Sequence, residues 1–418
     1  MSDIGWRNVK IGALGIVVTG KTPPSARPEL FGDAYPFITP SDIDGVSRTV
    51  ATDRFIAEEG ASAFRSQMIP AGAVCFVCIG ATIGKMCIAT SRSMTNQQVN
   101  SIIVDEALHD PKFVFYALRQ IATDVKSLAG GAATPIISKS SFSDISIRVA
   151  PLPVQRRIAS ILSSYDDLIE NNTRRIAILE EMARRNYEEW FVRFRFPGYE
   201  GVRMVESEMG LVPEGWVVAP LSRVVTLQSG FAFKSSIFAE DGEFGLVTIK
   251  NVQDGEFIES CSSRLSSPPE NMPLHCTLKV ADILLSLTGN VGRCCFVTID
   301  GCLLNQRVAK IQPVKQFDWA YSYLMFRSNQ LRARLEAIAN GVAQQNLSPV
   351  ETQRMLVLVP PEQQRQRFAG VATELLHLTL TLRRSNSNLR TTRDLLLPKL
   401  ISGELDVSEL PEPEAVAA

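Results

Sequence analysis

The chain has 418 residues, 45% hydrophobic and 21% charged, the composition of a globular protein long enough for two or three domains with cores of their own. It contains no run of eighteen apolar residues, and its start, MSDIGWRNVK, has neither an apolar stretch nor a cleavage site; no membrane span or export signal is expected, and the reading is cytoplasmic. The net charge of −1 argues against a strong pull toward polyanions, although the last sixteen residues hold five carboxylates and no Lys or Arg, leaving 43 basic against 39 acidic groups elsewhere.

In chain order, residues 1–153 read as a first module. Apolar strand-like runs at 72–79, 100–104 and 145–149 alternate with turn-rich stretches, and one helical segment is expected at Pro111–Leu128, giving an α/β globule. Near its start, residues 15–22 read GIVVTGKT and satisfy the GxxxxGK[ST] pattern of a phosphate-binding loop. Their context argues against that chemistry. Pro23 and Pro24 follow Thr22 where a helix should open, and Ile16, Val17 and Val18 are strand formers where a loop should cradle an anion. Cys75 and Cys78 form a CxxC inside a β-patterned run, so they point to opposite sheet faces and are expected as buried thiols, like Cys294 and Cys295.

Residues 154–194 read as a long helix. They contain no Pro or Gly after Pro153 until the aromatic run that ends them, and apolar or small residues recur at Tyr165, Ile169, Ile176, Leu179 and Ala183, with Asn172 and Asn186 filling the gaps in a 4,3,4,3 spacing that ends at Trp190. A single such seam needs a partner. After a connector at 195–215 and a second module at 216–361, with strands near 283–287, 308–312 and 355–359 and a helix near 318–339, the chain supplies one. Residues 362–402 carry Leu375, Leu382, Asn386, Leu389, Leu396 and Leu400 in the same spacing, with Pro398 as a local breaker, and 403–418 read as an acidic disordered tail.

The two halves are copies. Asn172, Ile176, Leu179 and Trp190 stand 210 positions before Leu382, Asn386, Leu389 and Leu400, and the same offset relates Trp6 to Trp216 and Gly20 to Gly230. The runs GATIGK (80–85) and TGNVGR (288–293), TNQQV (95–99) and LNQRV (304–308), GGAATPIIS (130–138) and NGVAQQNLS (340–348), and PLPVQRRI (151–158) and PPEQQRQRF (360–368) match in order. The second copy keeps Gly230 in TLQSGFAFK and lacks the GK pair, so what the repeat preserves at residue 20 is a turn glycine. No dinucleotide fingerprint, G-x-S-x-G elbow, HExxH or base-gripping Asn-Pro-Pro-aromatic segment occurs, and the three histidines fall at unmatched places. The reading is a binding protein without catalytic, metal or cofactor chemistry of its own.

Two divergent modules, each followed by a long helix introduced by PLPVQRRI or PPEQQ, together with FRFPGYEG after the first helix, GLVPEGWVVAPL before the second module and TGKTPPS near the start, resemble the specificity subunit of type I restriction-modification systems over nearly the whole chain. The resemblance implies two target recognition domains separated by a pair of long antiparallel coiled-coil helices. Each module would read one half of a split double-stranded DNA site, and the helices would dock two methyltransferase subunits, joined by translocating nuclease (restriction) subunits that hold the chemistry.

Base edges are read by Arg, Asn and Gln, and phosphates by Lys, Ser and Thr. Candidates for DNA contact are polar residues at positions matched between the copies: Lys21, Thr22, Ser41, Thr82, Lys85, Asn96 and Gln97 in the first, and Lys234, Lys250, Asn251, Asn290, Arg293, Asn305, Gln306 and Arg307 in the second. The competing reading for each is local backbone satisfaction beside a turn. Two other functions are open to the residues alone: a two-module adaptor or scaffold, and a P-loop ATPase.

Overall fold

The computed structural model describes residues 5–128, 135–339 and 346–411, so most of GGAATPIIS and NGVAQQNLS and the last seven residues of the acidic tail lie outside the described residues. The chain divides into two compact units, Met1–Asn171 with Ser387–Ala418, and Asn172–Asn386. Among the described residues no helix is long and apolar enough to cross a membrane.

The first unit is organised on a four-stranded antiparallel sheet in the order Gly15–Thr19, Val99–Val104, Val74–Val77, Met86–Ile88. VCFV at Val74–Val77 is buried at every residue because both sheet faces are covered. Phe76 and Cys78 enter a core with the helix Pro111–Leu128, whereas Cys75 and Val77 pack on the other side with Ile38 and Cys87. The CxxC sulfurs therefore belong to different cores. Five short strands form a second sheet, in which Tyr35–Ile38 pairs in parallel with Ser93–Thr95, and Arg7–Lys10 pairs with Ser146–Val149.

The helix Pro111–Leu128 starts where Pro, which has no N–H to leave unpaired, takes the first helical position and Asp110 accepts from the Phe113 backbone N–H at 3.0 Å. In the second unit the corresponding segment is two helices, Trp319–Arg327 and Asn329–Ala339. The single helix expected over 318–339 breaks at Ser328, whose extended backbone ends one helix while its hydroxyl accepts from Leu331 N–H at 3.3 Å to open the next. Otherwise the second unit repeats the first: Val225–Ser229, Val308–Pro313, Ile283–Ser286 and Cys294–Phe296 form the four-stranded sheet, Val217–Pro220 pairs with Leu356–Val359, and Phe244–Val247 runs parallel to Cys302–Leu304. Short helices Lys139–Asp144 and Pro349–Arg354 begin alike, with Ser138 and Ser348 capping the third N–H that follows. The stretch expected as a connector carries a hairpin, Met204–Ser207 with Gly210–Pro213.

Two long helices, Leu152–Tyr187 and Glu362–Ile401, each contribute one half to each unit. The first continues as a wider π-type turn, Glu188–Val192, and the chain then reverses at Phe194, held at φ 58°, and Gly198, at φ 88°. The second runs through Pro398, which stands in the last turn with its ring in solvent and so ends nothing. In the first unit Ile158, Ala159 and Leu162 pack with Leu397, Leu400 and Ile401; in the second, Ala183, Tyr187 and Phe191 pack with Phe368, Ala372 and Leu376. Residues after Gly403 are not wholly solvated. Val407 is buried in the first unit's core, and Gly403 lies against the Trp6 indole.

A candidate nucleic-acid interface

In each unit the strands deliver four loops to one end of the sheets. In the first unit Gly20 N–H donates to Val99 O at 3.1 Å and Lys21 N–H to Thr95 O at 2.9 Å, joining the turn after Gly15–Thr19 to the turn before Val99. Thr22 Oγ1 then donates to Gln97 Oε1 at 2.6 Å. Asn96 N–H reaches Ile38 O, at the end of Tyr35–Ile38, and Cys78 N–H donates to Gln98 O at 2.7 Å, bringing in the GATIGK loop. The second unit reproduces this junction: Gly230 N–H to Val308 O, Phe231 N–H to Leu304 O, Asn305 N–H to Val247 O and Leu287 N–H to Arg307 O, all within 3.1 Å.

The glycine at the centre is required by space. A Cβ on Gly20 would lie 2.2–2.3 Å from Thr95 and Asn96 atoms, and one on Gly230 2.3–2.5 Å from Asn305 and Leu304 backbone. This explains why the repeat keeps these residues while losing the neighbouring GK. GIVVT of the phosphate-loop pattern is a strand registered against Val104–Asn100, so its amides are committed to a sheet.

The candidate residues divide on burial. Lys21, Thr22, Ser41 and Gln97 are exposed around the first junction, as are Lys234, Lys250, Asn290, Gln306 and Arg307 around the second. Lys21 Nζ sits 5.4 Å from the Phe64 ring centroid, which fixes the stem while leaving the residue exposed. Thr82 is half-buried. Others have structural work. Lys85 Nζ donates to Ile43 O at 2.7 Å, Asn96 is buried with its Oδ1 accepting from Gln98 N–H, and Asn251 is buried with its amide donating to Ile258 O and Ser260 O. Arg293 donates to Gln253 Oε1 and, in the Asn290 amide orientation that satisfies both groups, to Asn290 Oδ1 at 2.9 Å. Asn305 Oδ1 accepts from Arg307 N–H at 3.3 Å. Beside these loops Asp44 remains a carboxylate: burial alone would raise its pKa, but hydrogen bonds from Ser47 and the Val46 N–H outweigh it and hold it low.

Arg54, which sequence reasoning passed over, joins the first cluster. Its guanidinium donates to Thr39 Oγ1 and stands 3.5 Å from both Ser41 Oγ and Asp42 Oδ2. The signal for it was available: it lies between GATIGK and the first turn, where the two copies share little.

On the helices, Ile169, Asn172, Ile176, Leu382 and Asn386 are buried, while Tyr165, Leu179, Leu375, Leu389 and Leu396 are half-buried. Asn172 Nδ2 donates to Asn386 Oδ1 at 2.9 Å and Asn386 Nδ2 to Thr173 Oγ1 at 3.2 Å. The fully buried neighbours of the half-buried positions are Asp166, Leu376 and Leu397, and Arg393 is buried four residues before Leu397.

A family model described as type I restriction modification DNA specificity domain matches residues 3–181. The chain is 27% identical to the type I restriction enzyme MjaIX specificity subunit of Methanocaldococcus jannaschii over 432 residues, covering 98% of this chain and 96% of that protein. It is 25% identical to the MjaVIII specificity subunit of the same organism, covering 97% and 94%. In fold it is similar to the type I restriction-modification S subunit of M. genitalium, with a TM-score of 0.63 at 16% identity over 96% of this chain and 97% of that one.

Proposed function

We propose that the chain is a type I restriction-modification DNA specificity subunit and that each of its two units reads one half of a bipartite duplex target, a reading supported by the specificity-domain match and by the specificity subunits it resembles along its length. The observation that carries this reading is the repetition of the four-loop junction, centred on Gly20 in one unit and Gly230 in the other, with exposed Lys, Thr, Gln and Arg side chains around each. Residues 1–153 and 216–361 are then the two target recognition domains, and 154–194 and 362–402 the helices between them, paired as an antiparallel coiled coil.

The outward faces of those helices support docking of two methyltransferase subunits. Leu168 and Leu395 in the first unit, and Ile178, Met182, Val371 and Leu378 in the second, are each at least 40% exposed, apolar side chains that water does not favour. Methyl transfer and ATP-driven cleavage reside in those subunits and in the restriction subunits that join them, and the complex acts on DNA in the cytoplasm. Net charge makes the isolated chain a weak polyanion binder, so tight binding belongs to the assembled complex.

The test is exchange of residues 1–153 for the matching module of a relative, with co-expression of the methyltransferase subunit and mapping of methylated bases. One half of the methylated site changes and the other persists. A change in both halves together, or in neither, would overturn the assignment.

A further inference from the structure

A protein that reads two different half-sites with two copies of one module must place its base contacts where the copies differ and can share only what positions the backbone. The junction loops around Gly20 and Gly230 are shared. The segment after Tyr35–Ile38 is not: it contains the helix Glu58–Ala63 in the first unit, whereas its counterpart after Phe244–Val247 contains no α-helix.

Backbone hydrogen bonds align this segment residue by residue. Phe37 N–H donates to Arg54 O at 2.8 Å and Leu246 N–H to Ser263 O at 2.9 Å, so Arg54 and Ser263 hold one position. Thr39 N–H donates to Asp42 Oδ2 at 2.7 Å and Thr248 N–H to Asn251 Oδ1 at 3.0 Å, so Asp42 and Asn251 hold another. In the second unit Asn251 closes its own loop through Ile258 O and Ser260 O, and Ser263 has no charged role. In the first unit the carboxylate of Asp42 faces Arg54 instead.

Arg54 is held from one side only. Its Nη2 faces Thr39, Ser41 and Asp42, its Cζ lies 5.7 Å from the Phe37 ring centroid, and Phe37 is itself buried. Nε and Nη1 have no protein acceptor among the described residues, and half the side chain, 51%, is in solvent beside the exposed Ser41. A guanidinium anchored through Nη2, with Nη1 and Nε left unpaired and half the side chain in solvent, keeps donors for the acceptors of a guanine edge.

Resting on the reading of the units as half-site readers, we propose that Arg54 is a base-reading residue of the first unit, donating to the O6/N7 edge of a guanine in the major groove, with Asp42 as its positioning residue. Ser263 gives the second unit no such contact, so the two half-sites differ at the matching position.

The experiment selects duplexes from a randomised DNA library with the complete chain bound to its methyltransferase subunits. The wild type should enrich a bipartite sequence. Arg54→Ala should lower the preference for guanine at one position of one half by about tenfold or more, with every other position unchanged. Arg54→Lys, which keeps the charge and loses the planar fork, should retain affinity to within a few-fold and lose the same preference; it carries the test if Arg54→Ala does not fold. A bipartite wild-type motif that both variants reproduce unchanged, with only a lower melting temperature, would make Arg54 a loop fastener and overturn the proposal. Failure of the wild type to enrich any bipartite motif would overturn it together with the reading on which it rests.

Discussion

Arg393 closes on Asp166 inside the first unit, an ion pair with both side chains removed from solvent. Tyr116 Oη donates to the other Asp166 oxygen at 2.5 Å, and Asp394 takes two further guanidinium contacts of Arg393, at 2.9 and 3.0 Å. The residues 210 positions away, Leu376 and Ala183, are apolar and buried, so the same place in the second unit is filled by a hydrocarbon contact.

Breaking the pair on one side leaves a buried charge with no counterpart. Asp166→Leu or Arg393→Ala alone should each cost about 3–5 kcal/mol, read as a fall in the unfolding midpoint. Combining them with Tyr116→Phe, which imitates the apolar arrangement of the second unit, should recover most of that loss. A combined variant as unstable as the sum of its parts would count against the comparison.

The matching pair at the helix starts makes a second contrast. Gln155 donates to Ala150 O at 2.7 Å and accepts from Asp110 N–H at 3.0 Å, whereas Arg365 donates to Pro360 O at 3.2 Å and to Asp318. Burial raises the Asp318 pKa and Arg365 opposes the rise. Because a raised carboxyl pKa means that the folded state holds the proton more tightly, ionised Asp318 costs stability as pH climbs through its folded value. Arg365→Gln should therefore destabilise the second unit by about 3 kcal/mol at neutral pH and progressively less in acid. A pH-independent deficit would refute this.

His109 gives acid sensitivity of the opposite sign in the first unit. Burial, and after it the charge of Arg7, lowers its pKa, with Asp105 acting against them. The unfolded chain then binds the proton more readily, so the stability His109 supplies is present above the ordinary histidine range near 6.5 and is lost as pH falls through the lowered folded value. His109→Gln should flatten that part of the profile, as followed by thermal unfolding between about pH 7 and 5.

Two glycine replacements should have opposite outcomes. At Gly20 a methyl group meets Thr95 and Asn96 at 2.2–2.3 Å, so Gly20→Ala should separate the junction and weaken DNA binding by the complex. At Gly370, inside the second long helix, nothing lies within 4 Å, and Gly370→Ala should raise stability by about 1 kcal/mol through helix propensity alone. Calorimetry of the two single variants compares them directly.

Local pattern made much of this architecture legible. The helix Pro111–Leu128 was readable because a Pro start and an apolar run coincide, and Asn172 and Asn386 stood out as polar residues in a regular spacing. Asp166 and Arg393 were not readable, because an isolated charge between seam positions reads as a solvated face until its partner across the unit is known. Tyr187 is buried where Asn186 was expected, and Leu376 where Leu375 was. There the helices cover the aromatic core around Tyr321 and Phe368, which demands a wider apolar stripe than a two-helix seam. Among the loop candidates, spacing showed which positions recur, but Lys85 and Asn251 turn inward, and Arg54 owes its setting to Asp42, twelve residues earlier, in a loop whose counterpart carries Asn251 and Ser263 at the same two places.

Val407 and Leu400 complete a core whose other members begin at Ile11, whereas the second unit is one uninterrupted length of chain. The first unit therefore closes only when residues from 387 on are available, after the whole of the second unit in chain order. A chain cut before residue 387 would present Ile158 and Leu162 uncovered and Asp166 without its cation. A chain stopped before residue 387 thus carries a complete second unit and an open first core.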